Sequence, residues 1–153
     1  KGYFPVLLVK VFGPSYGLDD RAVALVALSA FIGHLWPVFF GFKGGKGVAT
    51  AAGVLFGVEP LLGAATMGTW VIVAFFSRYS SLAALAASLF APAYYVFGDK
   101  IAWQTSEAEL LAVMVMSALL LFRHKDNIAR LVAGQESKIG AKKDAPPSEP
   151  GAQ

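Results

Sequence analysis

Residues 33–50 read GHLWPVFFGFKGGKGVAT, which is a glycine-rich, doubly basic turn between two long apolar segments. Lys43 and Lys46 stand among Gly44, Gly45 and Gly47. Without side chains in the way, backbone N–H groups of glycines can approach a ligand closely, and two ammonium groups beside them favour an anion. The residues after position 47 are typical of a helix start, and a helix N-terminus also attracts negative charge. Because lysines between membrane segments stay solvated only near the interface, this stretch predicts an anion site at a membrane surface.

The composition around this turn is that of a membrane protein. Hydrophobic residues make up 56% of the chain, charged residues only 15%, and the mean hydropathy is +0.59. No Asp, Glu, Lys or Arg occurs in residues 22–42, 47–58, 60–77, 79–98 or 110–122. Runs of about twenty apolar residues span a bilayer. Because Glu59-Pro60 breaks the pattern, residues 47–58 are predicted to form a short helix packed among others. The predicted fold is all-α, a multi-pass transmembrane helical bundle with short motif loops.

The distribution of charge predicts the orientation of the bundle. When alternate connections are placed on one side of the membrane, that side collects most of the thirteen basic residues and the other side most of the ten acidic ones. The positive-inside rule makes the basic side cytoplasmic. The net charge of +3 then reflects membrane topology. Since no RNP, zinc-finger or basic-helix pattern is present, nucleic acid is not an expected partner.

Several kinds of site are excluded by missing residues or wrong spacing. The chain has no cysteine, and its two histidines lie far apart, so we expect no metal and no cofactor. A nucleotide P-loop would need Ser or Thr where Gly47 stands. The H-x-x-x-x-D signature of many glycerolipid acyltransferases is absent, because Phe39 follows His34 by five residues and Ala129 follows His124 by five.

Three polar clusters fall on the predicted cytoplasmic side: residues 34–46, 77–81 and 123–127. Taken singly, Arg78 and Arg123 also fit interfacial anchors, and His34 fits an ordinary histidine at the end of a span. His124 and Asn127, however, are spaced i and i+3 and would share one helix face. Together with Ser81, the lysines and the arginine, they suit a phosphorylated polar substrate. The alternative is a membrane transporter or channel for a phosphorylated or other anionic solute, with the same basic cluster as its gate.

These clusters also carry a family resemblance. GHLWPVFFGFKGGKGVAT, then RYSSLAA (78–84), then RHKDNIARLVAG (123–134), resemble motifs of the bacterial acyl-phosphate:glycerol-3-phosphate acyltransferases, the PlsY family. The resemblance covers residues 1–134 in the expected order. It implies an enzyme of the bacterial inner membrane, with its active site facing the cytoplasm. The enzyme would transfer a fatty acyl group from acyl phosphate to the 1-hydroxyl of glycerol 3-phosphate, and the product would be lysophosphatidic acid for phospholipid biosynthesis.

The resemblance also assigns roles to residues. His34, His124 and Asn127 are implied as catalytic residues. The implied substrate-binding residues are Lys43, Gly44, Gly45, Lys46, Gly47, Arg78 and Ser81. The acyl chain would lie between the spans, in contact with the lipid bilayer. The proton acceptor stays open between a substrate phosphate oxygen, His34 and His124, as do the acyl chain preference and the oligomeric state.

The chain departs from the family pattern at two places. A second serine of the Arg-Tyr motif is Ala84 here, and the family's N-terminal motif, which bears a serine and an arginine, is missing together with the first span. We therefore expect a chain without that motif to show little or no acyl transfer. Residues 1–135 are predicted to form the membrane-embedded domain. Residues 136–153 are polar and proline-rich, and they are predicted to be a disordered cytoplasmic tail.

Overall fold

The computed structural model describes residues 1–140 of the protein, and this part of the chain is built from α-helices. The helices are α1 (Tyr3–Phe12), α2 (Asp20–Leu35), α3 (Val48–Val58), α4 (Pro60–Ser77), α5 (Ser80–Phe97), α6 (Glu107–Arg123) and α7 (Lys125–Val132). Within residues 1–140 there is no β-strand, only an isolated bridge between Asp99 and Trp103. The predicted all-α fold is confirmed.

Helix length and outward-facing side chains show how the bundle meets the membrane. Three helical segments are long and apolar enough to cross a bilayer: Asp20–Phe40, Pro60–Ser77 and Ser80–Phe97. Large apolar side chains such as Leu25, Phe76 and Leu111 are exposed on the outer surface of the helices. Such surfaces are favourable when the surrounding solvent is lipid. The chain is a multi-pass transmembrane bundle.

The predicted interruption before Pro60 is confirmed. Helix α3 ends at Val58, Glu59 is extended (φ −146°, ψ 122°), and Pro60 begins α4. Proline fits the first position of a helix because the N–H that it lacks would have no partner there. Lys10 Nζ donates to Glu59 Oε1 at 2.7 Å and also to the Val58 carbonyl, so α1 is tied to this junction.

The helices pack in a closed ring around an apolar interior. Going round the ring, α1 packs on α3, α3 on α4, α4 on α5, α5 on α6, α6 on α2, and α2 again on α1. The interior is filled by buried residues that include Val6, Phe31, Val54, Leu62 and Met116. The short helix α7 packs on α5 and α6, at the end of the ring where α6 stops. Van der Waals contact is the main attraction between such helices in lipid.

The connections between helices define two faces of the bundle. We define the basic face as the face that carries the α2–α3 turn, the α4–α5 turn and the residues after α6. Contacts across this face join Arg123 to Gly44 and Arg78 to Ile139. The opposite face carries the Lys10–Glu59 pair and the α5–α6 connection. The three predicted polar clusters therefore lie at one end of the helix bundle.

Candidate active site

The turn between α2 and α3 is folded back against the end of α2. After Leu35 the chain makes a short 3₁₀ turn over Val38–Phe40 and reaches α3 through Gly47, whose φ is +84°. A Cβ added at Gly44 would lie 2.2 Å from the His34 carbonyl oxygen and 2.3 Å from that of Leu35. Only glycine fits such an approach. A Cβ at Gly45 would lie 3.0 Å from His34 Nε2, so the imidazole of His34 faces the backbone of the turn.

Arg123, at the end of α6, holds this turn in place. One of its terminal nitrogens, Nη2, donates to the carbonyl oxygens of Gly44 at 2.9 Å and Gly45 at 3.2 Å. The guanidinium also lies over the Trp36 ring, 5.8 Å from its centroid. Charge-assisted bonds of this kind are stronger than neutral ones. From the sequence alone, Arg123 could have been only a membrane anchor. The structure shows that it connects α6 to residues 43–47, which we call the Gly-Lys turn.

His124 follows directly and is almost fully buried, with 2% of its surface exposed. Its Nδ1 lies 2.8 Å from the Leu120 carbonyl oxygen. Because a carbonyl can only accept, Nδ1 carries the proton and Nε2 has a free lone pair in the neutral ring. Burial is the main cause that lowers the pKa of His124 below its ordinary 6.5. The hydrogen bond with Leu120 opposes this in part, the charge of Lys46 adds to it, and Glu136 opposes it least. The ring is therefore neutral at pH 7.

Asn127 and Ser81 meet beside a carboxylate that the sequence analysis assigned to the tail. Asn127 Nδ2 donates to Glu136 Oε1 at 2.6 Å, and Arg130 Nε donates to Glu136 Oε2 at 2.8 Å. Asn127 Oδ1 and Ser81 Oγ are buried and have no hydrogen bond of good geometry within residues 1–140. An unpaired buried polar atom is costly. These two atoms are the ones best suited to receive a polar ligand.

The first residues of the stretch predicted to be a tail contact the end of the helix bundle. Ile139 N donates to the Arg78 carbonyl at 2.7 Å, Arg78 Nη2 donates back to the Ile139 carbonyl at 3.0 Å, and Lys138 lies over the Tyr79 ring. Ion pairing and these backbone bonds hold residues 136–139 although apolar periodicity is absent. Residues 141–153, which the tail prediction also covers, lie outside the described residues.

The predicted binding residues are thus only partly brought together. His34, Gly44 and Gly45 are in contact, and Lys46 is close enough to His124 for its charge to act on the ring. Ser81, Asn127 and Glu136 form a second group, with Glu136 as a neighbour of both Asn127 and His124. Lys43 and Lys46 are exposed, so they are free to meet a ligand that arrives from solvent. Arg78 is exposed, and its guanidinium donates a hydrogen bond to the carbonyl of Ile139.

Charge on Glu136 controls the docking of residues 136–139, which gives a first prediction. Burial alone would raise the pKa of Glu136, but contacts with Ser81, Asn127 and Arg130 outweigh it and lower the pKa from 4.5 to about 2. A lowered pKa stabilises the docked state above about pH 4.5, and this stabilisation is lost as the pH falls through about 2. Glu136→Gln removes the charge at every pH.

We expect trypsin at neutral pH to cleave after Lys138 several-fold faster in this variant, as measured by mass spectrometry of the released peptide. Ser137→Ala is the control, and equal rates in all three proteins would contradict the prediction.

An apolar cavity of about 280 Å³ opens next to these groups, between α3, α4, α5 and α6. It begins at Val48 and Ala49, directly after the Gly-Lys turn, and at Ala84 and Leu120. Small alanine side chains form much of its wall. The other lining residues are Ala51, Ala52, Leu55, Thr66, Met67, Trp70, Ala87, Ser88, Ala91, Val113, Met116 and Ser117. An apolar cavity that adjoins a few convergent polar groups is the usual form of a small-molecule site.

Comparison with known proteins identifies the family. The sequence model described as glycerol-3-phosphate acyltransferase matches residues 1–134. Curated relatives of that name are 56% identical over 142 residues in Albidiferax ferrireducens and 58% identical over 147 residues in Paraburkholderia xenovorans. The alignments cover 93% and 95% of this chain but 63% and 65% of the relatives, so the chain spans somewhat less than two thirds of their length.

Solved structures agree with the sequence comparison. The glycerol 3-phosphate form of PlsY, an integral membrane glycerol 3-phosphate acyltransferase, superposes with a TM-score of 0.81 at 36% identity, over 91% of this chain and 66% of that one. A lysophosphatidic acid form of the same protein gives a TM-score of 0.81 over 91% of this chain and 67% of that one. The chain therefore belongs to the glycerol-3-phosphate acyltransferase family.

Proposed function

We propose that the protein to which this chain belongs transfers a fatty acyl group from acyl phosphate to the 1-hydroxyl of glycerol 3-phosphate, with release of inorganic phosphate. The observation that carries the proposal is the continuity between the Gly-Lys turn and the apolar cavity, because Val48 and Ala49 line the cavity and directly follow that turn. An acyl phosphate has the same two parts, an anionic head and an apolar chain. Its phosphate would meet Lys43, Lys46 and the glycine backbone while its chain enters the cavity.

The second substrate would bind where polar atoms are left without partners. Within residues 1–140, Ser81 Oγ and Asn127 Oδ1 are buried and have no hydrogen bond of good geometry, and Ser81 lies beside Glu136, whose pKa it helps to lower. These atoms suit the hydroxyl groups of glycerol 3-phosphate, while His34 and the lysines suit its phosphate end. Arg78 would act indirectly, by holding the segment that carries Glu136.

The reaction requires little covalent chemistry from the protein. The oxygen of the 1-hydroxyl attacks the acyl carbonyl carbon, the new ester C–O bond forms, and the bond from the acyl carbon to the phosphate oxygen breaks with departure of phosphate. The hydroxyl proton passes to an acceptor, for which we propose His124 Nε2, since Nδ1 is bonded to Leu120. An acyl phosphate is already activated, so orientation and charge stabilisation supply the rate enhancement.

A transporter or channel is the alternative function. Secondary transporters typically bind their substrates near the membrane midplane, on discontinuous helices. Here the predicted binding residues belong to the basic face, at the ends of α2, α4 and α6. That arrangement favours an enzyme acting at the membrane surface.

Acyl transfer in vesicles tests the proposed function. The protein is expressed from its full reading frame and reconstituted, then supplied with palmitoyl phosphate and labelled glycerol 3-phosphate. We expect labelled lysophosphatidic acid and an equal amount of phosphate. Movement of glycerol 3-phosphate into the vesicles without acylation would instead support the transporter.

The orientation of the basic face is a separate prediction. We propose that the protein resides in the bacterial inner membrane with this face in the cytoplasm, supported by the excess of basic residues there. Because the chain has no cysteine, single cysteines at positions 43 and 100 can be labelled with an impermeant thiol reagent on intact cells. Position 100 should react and position 43 should react only after lysis. Labelling of position 43 from outside would contradict the proposal.

Lys46 is expected to bind phosphate and not merely to anchor the turn. A hydrogen bond to a charged group contributes about 1.5–3 kcal/mol, so Lys46→Ala should lower kcat/KM for glycerol 3-phosphate or acyl phosphate roughly 10- to 150-fold. Lys46→Arg should restore only part of the lost kcat/KM, because a planar guanidinium does not replace a compact ammonium among glycines. Steady-state kinetics of the reconstituted variants measure this. Unchanged kinetics in the alanine variant would leave Lys46 as an interfacial anchor.

A further inference from the structure

The far end of the apolar cavity is closed by a defined layer of side chains. On α5 the cavity is lined by Ala84, Ala87, Ser88 and Ala91, which share one helix face because they follow the i, i+3, i+4, i+7 spacing. The next residue on that face is Tyr95, which is fully buried. The small residues of α5 thus make room for the cavity, and the tyrosine ends it.

The other three helices end the cavity in the same way. One turn beyond the last lining residue come Val58 in α3, Leu62 in α4 and Glu109 in α6. Their exposed fractions are 2%, 0% and 4%. We call Val58, Leu62, Tyr95 and Glu109 the cavity floor. All four are buried, and helix spacing places each about one turn beyond the last lining residue of its helix, on the side of the opposite face. The hydrogen bond from Tyr95 to Glu109 joins two of them across α5 and α6.

Hydrogen bonds hold Tyr95 in this position. Its hydroxyl donates to Glu109 Oε2 at 2.5 Å and accepts from the Ser106 backbone N–H at 3.1 Å. Trp103 stacks on the ring at a centroid distance of 6.1 Å, and its Nε1 donates to the Tyr95 carbonyl. Burying an ionisable side chain such as Glu109 inside a membrane bundle costs free energy, and such residues usually have a structural or functional role. Here Glu109 fixes the phenol ring across the end of the cavity.

The floor limits how much of an acyl chain can enter in extended form. From Ala84 to Ala91 the helix advances about 10 Å at about 1.5 Å per residue. An extended alkyl chain with bonds of about 1.5 Å advances about 1.25 Å per carbon, so about eight carbons fit before the floor is reached. The remaining carbons of a longer chain must turn aside towards the lipid.

We propose that the cavity floor, and Tyr95 above all, determines the acyl chain length that the enzyme prefers. The proposal rests on the proposed function, because it assigns the cavity to the acyl chain of the donor. It names a specificity-determining residue that lies far from the polar groups at the basic face. Tyr95 would therefore change the ratio between donors without taking part in acyl transfer itself.

Two substitutions of opposite effect test the proposal in the reconstituted protein from its full reading frame. Tyr95→Ala opens about one more helical turn, and Ala91→Phe fills the last turn of the existing cavity. Each methylene that gains or loses burial changes kcat/KM about fourfold. The ratio of kcat/KM for stearoyl phosphate to that for decanoyl phosphate should therefore rise at least about tenfold in Tyr95→Ala. In Ala91→Phe those two donors lose the same burial, whereas butanoyl phosphate loses none, so the ratio for decanoyl phosphate to butanoyl phosphate should fall at least about tenfold.

A matched control separates volume from hydrogen bonding. Tyr95→Phe removes the hydroxyl but keeps the ring, so the donor ratio should stay within about twofold of the wild type even if the melting temperature falls. If Tyr95→Ala does not fold, Ala91→Phe alone decides the matter. Acyl transfer by the wild type combined with an unchanged ratio in Ala91→Phe would overturn this inference only. No transfer by the wild type with any donor would overturn the proposed function and this inference with it.

Discussion

Arg123→Ala is expected to lower kcat/KM for acyl transfer at least about 100-fold while the protein still inserts in the membrane. The reason is that Arg123 holds the Gly44 and Gly45 carbonyls and stacks on Trp36. Without it the turn at residues 43–47, the proposed phosphate site, is free to move, and a misplacement of about 1 Å can already cost about 10²-fold. Arg123→Lys keeps the charge but loses the planar group, so it should recover only a small part of the activity. Kinetics in vesicles of the same composition measure both.

Lys125→Ala is the matched control for this prediction. Lys125 is a neighbouring exposed basic residue, and its Nζ lies over the Phe122 ring, 5.6 Å from the ring centroid. Its loss should change kcat/KM no more than about threefold, since surface charges contribute little. If Arg123→Ala and Lys125→Ala behave alike, both residues are membrane anchors and the connection from α6 to the turn has no catalytic consequence.

His124→Ala is expected to reduce kcat by about 10²- to 10⁴-fold, the range for loss of a general base. The buried ring is neutral at pH 7 because burial lowers its pKa below 6.5, and its Nε2 is available to accept a proton. Protonation removes this lone pair. In the wild type, activity should therefore fall as the pH decreases through the pKa of His124, below 6.5, and should be independent of pH above it.

Comparison with two variants assigns this pH dependence to one residue. His124→Gln keeps a polar side chain of similar reach but cannot accept the proton, so it should lose both the rate and the acidic limb of the pH profile. His34→Ala should reduce activity but retain that limb. If the limb persists in His124→Gln, the proton passes to His34 or to a substrate phosphate oxygen.

Much of the fold follows from the sequence because lipid imposes a simple rule. Segments without charge must be helical and must face either lipid or one another. Glu59-Pro60 marked the α3–α4 boundary because proline is tolerated at the start of a helix but not in its interior. The Gly-Lys turn could also be predicted from the sequence, because three glycines at positions 44, 45 and 47 beside two lysines are unfavourable within a membrane helix.

The contacts between distant segments could not be predicted from the sequence. Arg123 could be interpreted as a membrane anchor because its partners are the backbone carbonyls of Gly44 and Gly45. Every residue has a backbone carbonyl, so the sequence does not indicate which ones Arg123 contacts. Glu136 lay in a polar, proline-rich stretch, and its attachment depends on Asn127 and Arg130 from α7. The break of helix at His124, between α6 and α7, has neither proline nor glycine to mark it. Only the folded chain shows that His124 lies between α6 and α7 while Asn127 lies within α7, so the two do not share one continuous helix face as their i, i+3 spacing predicted.

The bond between Arg123 and Gly44 also sets an order of events during synthesis. The two residues are 79 positions apart, so a ribosome adding about 5–20 residues per second takes roughly 4 to 16 s between them. During this interval the glycine turn has been synthesised but lacks the side chain that fixes it. The candidate site is therefore completed late, after the end of α6 has left the ribosome.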